Sequence, residues 1–263
     1  KNIKLNLEEY DKIIELNKKK QKAFQANNKN KHDIIIYNKL SDKLKSTKFC
    51  GYQENQCEAK LIEIINNDKV VNDVKRESEN VELIFDKTPF YAESGGQVGD
   101  SGSIYNLQEN LVALVSDTQV IENNIYIHTL NNITEEIKVN EIYKLVVDKG
   151  RRNKIRNNHS ATHLLHESLR IVVGPHVTQK GSLVNEEKLR FDYTSTEQLT
   201  NDQIHKIESL VNTSIRSNIS SNIKLMPVKQ AVQSGAIALF GEKYPDNVRV
   251  ISLIDKNKKN ISS

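Results

Sequence analysis

Between residues 49 and 150 the apolar residues come in short runs rather than helical stripes, and this constrains the fold more than any other feature. The runs "CEAKLIEII", "VELIFD", "LVALVSDTQVI", "NIYIHTL" and "IYKLVVD" are rich in β-branched residues. Turn-forming "INNDK", "ESGGQVGDSG" and "IENN" separate them. Several short strands at such spacing predict a barrel or a sandwich. On either side the period changes. Leu7, Tyr10, Ile13, Ile14, Leu16 and Phe24, with Glu early and Lys late, predict a helix over 7–25. Within the polar stretch 26–48, "DIIIYNKL" either continues as helix or forms a short strand. After Gly150 a helix is expected from near Arg152 to "VVGPH", with Gly174 as C-cap and Pro175 as stop. "KLRFDYT" alternates as a strand. "TNDQIHKIESLVNTSIRSN" is amphipathic, with Thr200 and Gln203 placed for a capping box. "NIKLMPV" and "NVRVISLI" read as strands flanking a short helix around "KQAVQSGAIALF". The expected class is α+β: a helical segment over 1–40, a small β-barrel over 41–150 and an α+β domain over 151–263.

Composition narrows the function classes. A chain of 263 residues, 37% hydrophobic and 27% charged, can bury an ordinary core. A net charge of +4 permits a nucleic-acid partner without requiring one. No apolar run approaches the ~20 residues that span a bilayer, and "KNIKLNLEEY" is not a signal peptide, so no membrane partner is expected. Cys50 and Cys57 are too few for a disulfide framework and their spacing is not that of a zinc knuckle; reduced thiols in the cytoplasm are expected.

Three motifs could carry chemistry. "NNHSATHLLH" places His159, His163 and His166 at i, i+4 and i+7, on one narrow helical stripe. Ala161, Leu164, Leu165, Leu169 and Val172 fall on roughly the opposite side, so the histidines are expected to lie off the core, facing solvent, a metal, a ligand or another domain. His159 and His163 supply two nitrogen donors one turn apart, as helical zinc sites require, although a solvated pair has the same spacing. His166 reads as a neighbour rather than a third ligand. Position 160 is Ser, so the H-E-x-x-H pattern of a metalloprotease is absent, and a hydrolase built on the pair with Glu167 is disfavoured. In "TPFYAESGGQVGDSGSI" the glycines are too irregular for a phosphate loop; Gly95-Gly96 suit a β-turn, and Ser94, Gln97 and the backbone amides there could also approach a ligand. "HVTQKGSLV" is a polar turn offering Thr178, Gln179 and Ser182.

Together, in this order, "TPFYAESGGQVGD", "RRNKIRNNHSATHLLHESLR", "HVTQKGSLV", "LRFDY" and "ALFGEKYPDNVRV" closely resemble the editing region of the alanyl-tRNA synthetases and their free-standing editing relatives. The resemblance spans roughly residues 40–255. It implies a proofreading hydrolase that cuts the ester of Ser or Gly wrongly attached to tRNA(Ala), with no DNA partner. By similarity His159 and His163 are two zinc ligands, Thr162 and Gln179 take the catalytic and recognition positions, and Gly95 and Gly96, with Gln179, border the substrate. In that family a Cys-x3-His motif after the "VRVISL" strand completes the zinc site. The chain stops at "DKNKKNISS" before any such motif and opens without Met. It is therefore expected to be part of a longer synthetase, with two of four zinc ligands. The alternative is a tRNA-binding module without hydrolytic activity, using the Lys/Arg cluster near 150–156.

Overall fold

The structure is a computed structural model that describes residues 31–195, 197–218, 220–233, 246–254 and 260–262. The expected helix over 7–25 lies outside the described residues. The chain is mixed α+β, as its patterning predicts, and packs as two units. The first holds the described residues up to Ala92 together with Gly99–Val147; the second holds Glu93–Val98 and the described residues from Asp148 onward. The short segment Glu93–Val98 thus packs with residues that follow it by more than fifty positions.

The first unit begins with helix α1 (Lys31–Lys43), so "DIIIYNKL" is helical. Short strands β1 (Lys48–Phe49), β3 (Lys69–Val71), β4 (Asp73–Val74), β6 (Lys87–Thr88) and β10 (Ile137–Lys138) decorate six longer ones. The longer strands are β2 (Gln56–Asn66), β5 (Val81–Phe85), β7 (Gly102–Tyr105), β8 (Leu111–Ile121), β9 (Ile125–Ile133) and β11 (Ile142–Val147). Each falls on one of the runs that the alternation picks out, except β7. The six close in the order β2-β5-β9-β8-β7-β11, with β11 pairing back onto β2 antiparallel. Closure leaves no exposed sheet edge around the ring. At the β2–β3 hairpin Asn67 and Asp68 both take positive φ (46° and 59°), which Asn and Asp tolerate.

Strand alternation explains the interior. Val81, Leu83 and Phe85 point inward from β5, with Ala59, Leu61, Ile104, Tyr143 and Leu145 from its neighbours. The register shift between Leu61 and Glu63 lets Ile64 join the same interior while Ile65 turns outward. The outward Ile65, Ile84, Ile125 and Ile127 are covered by Ile36, Tyr37 and Leu40 of α1 and by Leu44 just past its end. Tyr37 Oη donates to Glu82 (2.7 Å) and Lys43 pairs with Glu63 (2.9 Å), tying the helix to the outer face. This second covered face is why "VELIF" and "IYIH" read as nearly continuous apolar runs.

Among the buried polar groups of this unit is an imidazole. His128 is fully buried, set edge-on to Phe85 and Phe90. Its Nδ1–H donates to the Leu83 carbonyl (3.0 Å), and its Nε2 accepts from the Thr88 hydroxyl (2.7 Å), which itself accepts from Phe90 N–H (3.1 Å). Burial pushes the His128 pKa down to about 4.

The second unit starts with helix α2 (Lys149–Val172), capped by Asp148, whose side chain accepts from Arg151 N–H (2.9 Å). It starts three residues earlier than expected and ends at the predicted "VVGPH". A hairpin follows, β12 (Gln179–Val184) and β13 (Leu189–Tyr193). Helix α3 (Asn201–Arg216) opens with the expected capping box between Thr200 and Gln203. Strand β14 (Ser220–Pro227), helix α4 (Val228–Gln233), β15 (Asn247–Ile254) and β16 (Asn260–Ser262) complete the described residues, the three strands forming an antiparallel sheet. Leu169 of α2, Val177 and Ile207 of α3 centre this unit's core, with Leu165, Val172 and Phe191 against them. Among the described residues no helix is long and apolar enough to cross a membrane.

The buried His128 makes a sign-definite prediction. Above pH ~6.5 it is neutral in both folded and unfolded chains and has no effect. As pH falls from ~6.5 to ~4 the unfolded chain takes up a proton that the folded barrel refuses, so stability drops, by about 3 kcal/mol once the window is crossed. Amide hydrogen exchange of β9 measured across this window should show the decline, and H128Q, which keeps both hydrogen-bond roles, should flatten it.

Candidate functional site

The expected sites all fall in the second unit, and the local fold explains how they meet. Ser94 and Gln97 exchange both backbone hydrogen bonds (3.1 and 3.0 Å), which closes a two-residue turn over Gly95 and Gly96. Both glycines take positive φ, 59° and 84°, as the mirror-image hairpin turn demands. The turn is then stitched to the end of β12: Val184 N–H donates to the Gly96 carbonyl (2.7 Å) and Val98 N–H donates to the Val184 carbonyl (3.1 Å). The Ser182 hydroxyl donates to the Gly95 carbonyl (3.2 Å) and accepts from the Gln179 amide (3.0 Å).

Helix α2 supplies the other side. The His159 ring lies parallel to that of His163, one turn on, with centroids 5.2 Å apart and planes 15° apart. His159 Nδ1 contacts the side-chain oxygen of Gln97 at 2.7 Å. Asn158 Nδ2 donates to the carbonyl of Asn185, just past β12 (2.8 Å). From Gln179 onward "HVTQKGSLV" is strand β12 rather than the expected polar turn, and a short chain of hydrogen bonds joins the histidine pair and the glycine turn to it: His159 to Gln97 in the turn, then Gly95 to Ser182 to Gln179. Gln97 and Ser182 carry this link. The sequence marked both as polar groups near a ligand but had no means of pairing Gln97 with His159, sixty-two positions away. Thr162 is buried one turn from His159 and turns its hydroxyl back onto the Asn158 carbonyl (2.8 Å).

One expectation is corrected. The histidine stripe lies off the core at half-exposed His159 and exposed His163, as expected, but not at His166. The side of α2 that carries the stripe buries Ile155, Thr162 and His166, and His166 itself is only 6% exposed. Its ring packs on Phe191 (centroids 5.0 Å), with Nε2 at 3.4 Å from the Val177 carbonyl. Leu164 and Ser168, on the far side, are buried too. The β12–β13 hairpin covers one flank of α2 while other elements cover the opposite one, so apolar content on a single side does not identify its buried face.

Burial sets the electrostatics. Loss of hydration pushes the pKa of His159 down. His163 keeps accessible surface at its edge, yet crowding of its ring, with His159 and His166 nearby, pushes it down as well. His166 is lowered by burial, partly opposed by its bond to Val177. The cluster is accordingly neutral at neutral pH and offers nitrogen lone pairs rather than charge.

The pair meets part of what zinc asks for. Both rings are uncharged donors on one helix, and His159 has its Nδ1 occupied, which leaves Nε2 for a ligand bond. Among the described residues no group of three or more His, Cys, Asp or Glu that could hold a metal ion forms, so the pair is a partial donor set. Glu167 does not complete such a group, which removes the support for a protease-like centre. Cys50 and Cys57, in the first unit, are free thiols whose pKa burial raises, Cys57 to about 12, so neither is a thiolate at neutral pH.

A family model for class II (A) tRNA synthetases matches residues 1–151. The alanine--tRNA ligase of Wolbachia pipientis wMel is 39% identical over 259 residues, covering 98% of this chain and 29% of that protein. The chain belongs to the alanyl-tRNA synthetase family. It spans under a third of the length of the relative it matches. Within this synthetase family the match runs through the barrel, the histidine helix and the residues after it without a break large enough to leave either unit out.

The two glycines separate cleanly by geometry. A Cβ on Gly96 would stand 2.3 Å from Ser182 Oγ and 2.5 Å from the Ser182 carbonyl, whereas one on Gly95 meets nothing within 4 Å. G95A should therefore cost about 1 kcal/mol, the penalty of the left-handed conformation alone. G96A adds a backbone clash and should cost about 3 kcal/mol or more. Denaturant unfolding of the two variants, followed by a probe in β12, checks the order.

Proposed function

We propose that this chain carries the editing region of an alanine--tRNA ligase, acting in the cytoplasm on tRNA(Ala) mischarged with Ser or Gly. The observation that carries the reading is the connection of the histidine pair, through Gln97 and the glycine turn, to Ser182 and Gln179. Of these, the family resemblance assigns His159, His163, Gly95, Gly96 and Gln179 to proofreading, and the hydrogen bonds through Gln97 and Ser182 link them.

The chemistry asked of such a site is modest. Hydrolysis joins a water oxygen to the aminoacyl carbonyl carbon and breaks that carbon's bond to the terminal ribose oxygen. One water proton goes to a base, and the departing ribose oxygen takes a proton. The ester is already activated, so a placed water and donors aimed at the developing oxyanion suffice. Neutral imidazoles can hold a water through their unprotonated nitrogens. Gln179 and the Thr162 oxygen, both neutral, suit a hydroxyl or ammonium on the misplaced amino acid. A site built to bond the Ser hydroxyl disfavours Ala, which leaves buried polar groups unpaired; admitting Gly requires that a small cavity contribute as well. Zinc, held by His159 and His163 with further ligands, would supply Lewis acidity or an anchor for the substrate's amino group.

A second reading, tRNA binding without hydrolysis, draws on exposed Lys149, Lys154 and Arg156 along the first turns of α2. Their phosphate contacts would weaken steeply with salt. Deacylation of Ser-, Gly- and Ala-tRNA(Ala) separates the two, measured on this chain and on a form of the length of its Wolbachia relative. The longer form, loaded with zinc, should release Ser and Gly at least ~10-fold faster than Ala, and Q179A or H163A should lower the rate ~100-fold. Intact Ser-tRNA(Ala) in the presence of the zinc-loaded longer form, with salt-sensitive binding retained, would leave only the binding reading.

A further inference from the structure

We propose that Gln97 is the positioning residue of the histidine pair: its side-chain oxygen accepts the Nδ1–H of His159 and so holds the ring in the tautomer whose Nε2 carries the lone pair. The inference rests on the editing reading only for its purpose; its geometry stands without it.

The 2.7 Å contact is between His159 Nδ1 and Gln97 Oε1, and an amide oxygen can only accept. The nitrogen it touches must carry the proton. A neutral imidazole has one N–H, so Nε2 is then bare. Gln97 is 7% exposed, so water competes little for this bond. Its backbone is held at four points: two bonds across the turn to Ser94, and two between the flanking Gly96 and Val98 and Val184. Such anchoring aims the side chain without further ordering. The pair of positive-φ glycines thereby acquires a task beyond bordering a pocket, because without that turn Gln97 would not face α2. A reversed carboxamide would give the opposite chemistry, with its N–H2 donating to Nδ1 and the His159 proton moved to Nε2.

The two states are spectroscopically distinct. Long-range 1H–15N spectra of 15N-histidine-labelled, metal-free protein at about pH 8, where the rings are neutral, should show His159 as the Nδ1–H tautomer. Q97L removes the acceptor at similar size and should shift His159 to the Nε2–H form or a mixture. Q97E restores an acceptor and should restore Nδ1–H. Affinity for Zn2+ alone, read by competition with a chelating dye, should fall ~10–100-fold in Q97L and recover in Q97E. An Nε2–H tautomer in the unmutated protein overturns the proposal, and so does a tautomer that Q97L leaves unchanged. If Q97L fails to fold, the unmutated protein and Q97E still decide. Intact Ser-tRNA(Ala) with the zinc-loaded, unmutated longer form, alongside the expected tautomer result, counts against the editing reading alone; deacylation alongside an Nε2–H tautomer counts against Gln97 alone.

Discussion

The second unit depends on a small piece of backbone ladder, in which Val184 gives its N–H to Gly96 and its carbonyl to Val98. Four backbone bonds in all hold residues 94–98, each worth roughly 1 kcal/mol net. Ordering these five residues costs roughly 1–2 kcal/mol apiece, so these bonds alone do not offset it. The difference is made up elsewhere. Gln97 buries its side chain on His159, and Ser182 ties down the Gly95 carbonyl. At the base of the segment Tyr91 and Asp100 exchange two further bonds, Tyr91 N–H to the Asp100 carboxylate (2.7 Å) and Asp100 N–H to the Tyr91 carbonyl (2.9 Å). A loop whose ends are already fixed has less entropy to lose. The turn is therefore short, pinned and glycine-bearing for connected reasons.

Helix α2 answers a similar pressure. Its first turn is capped by Asp148, its middle carries the histidines, and its last turns enter the core at Leu169. Burial on two sides leaves His166 with an aromatic neighbour and a carbonyl in place of water. The three histidines thus divide their roles by position along one stripe. His166 is packing, His159 is held by a side chain from the turn, and His163 keeps contact with solvent.

Much of the barrel was legible because its signal is local. Alternation in "VELIFD" and "LVALVSDTQVI" marks strands, and Asn-Asp and Gly-Gly pairs mark turns whose φ values only such residues take easily. The capping box at Thr200 and Gln203 and the stop at "VVGPH" are equally local. Strand β7 was missed because "GSIY" is short and sits behind a glycine-rich loop. Only His166 departs from the facing that the stripe predicts, and for a physical reason. A hydrophobic stripe reports the side of a helix that must be buried, not whether the other side is buried also. Closure of β11 onto β2, and the packing of Glu93–Val98 with residues beyond Asp148, are long-range facts that no window of sequence contains. The resemblance to the synthetase motifs supplied Gln179, Gly95 and Gly96 as site residues; only the geometry singled out Gln97.

What the site holds is more telling than what it lacks. Burial keeps all three imidazoles below their ordinary pKa, and their mutual proximity acts in the same direction for His163. The groups around them are an amide oxygen at Gln97, a hydroxyl at Ser182 and an amide at Gln179, all uncharged. A cluster of protonated histidines would repel a cation; a neutral cluster presents lone pairs to one. Under the editing proposal the group that must enter is an aminoacyl ester bearing an α-ammonium, and the metal expected beside it is also positive. Both need the imidazoles unprotonated. The loss of hydration around these rings is then the same physical effect that makes the pair able to receive either partner at neutral pH.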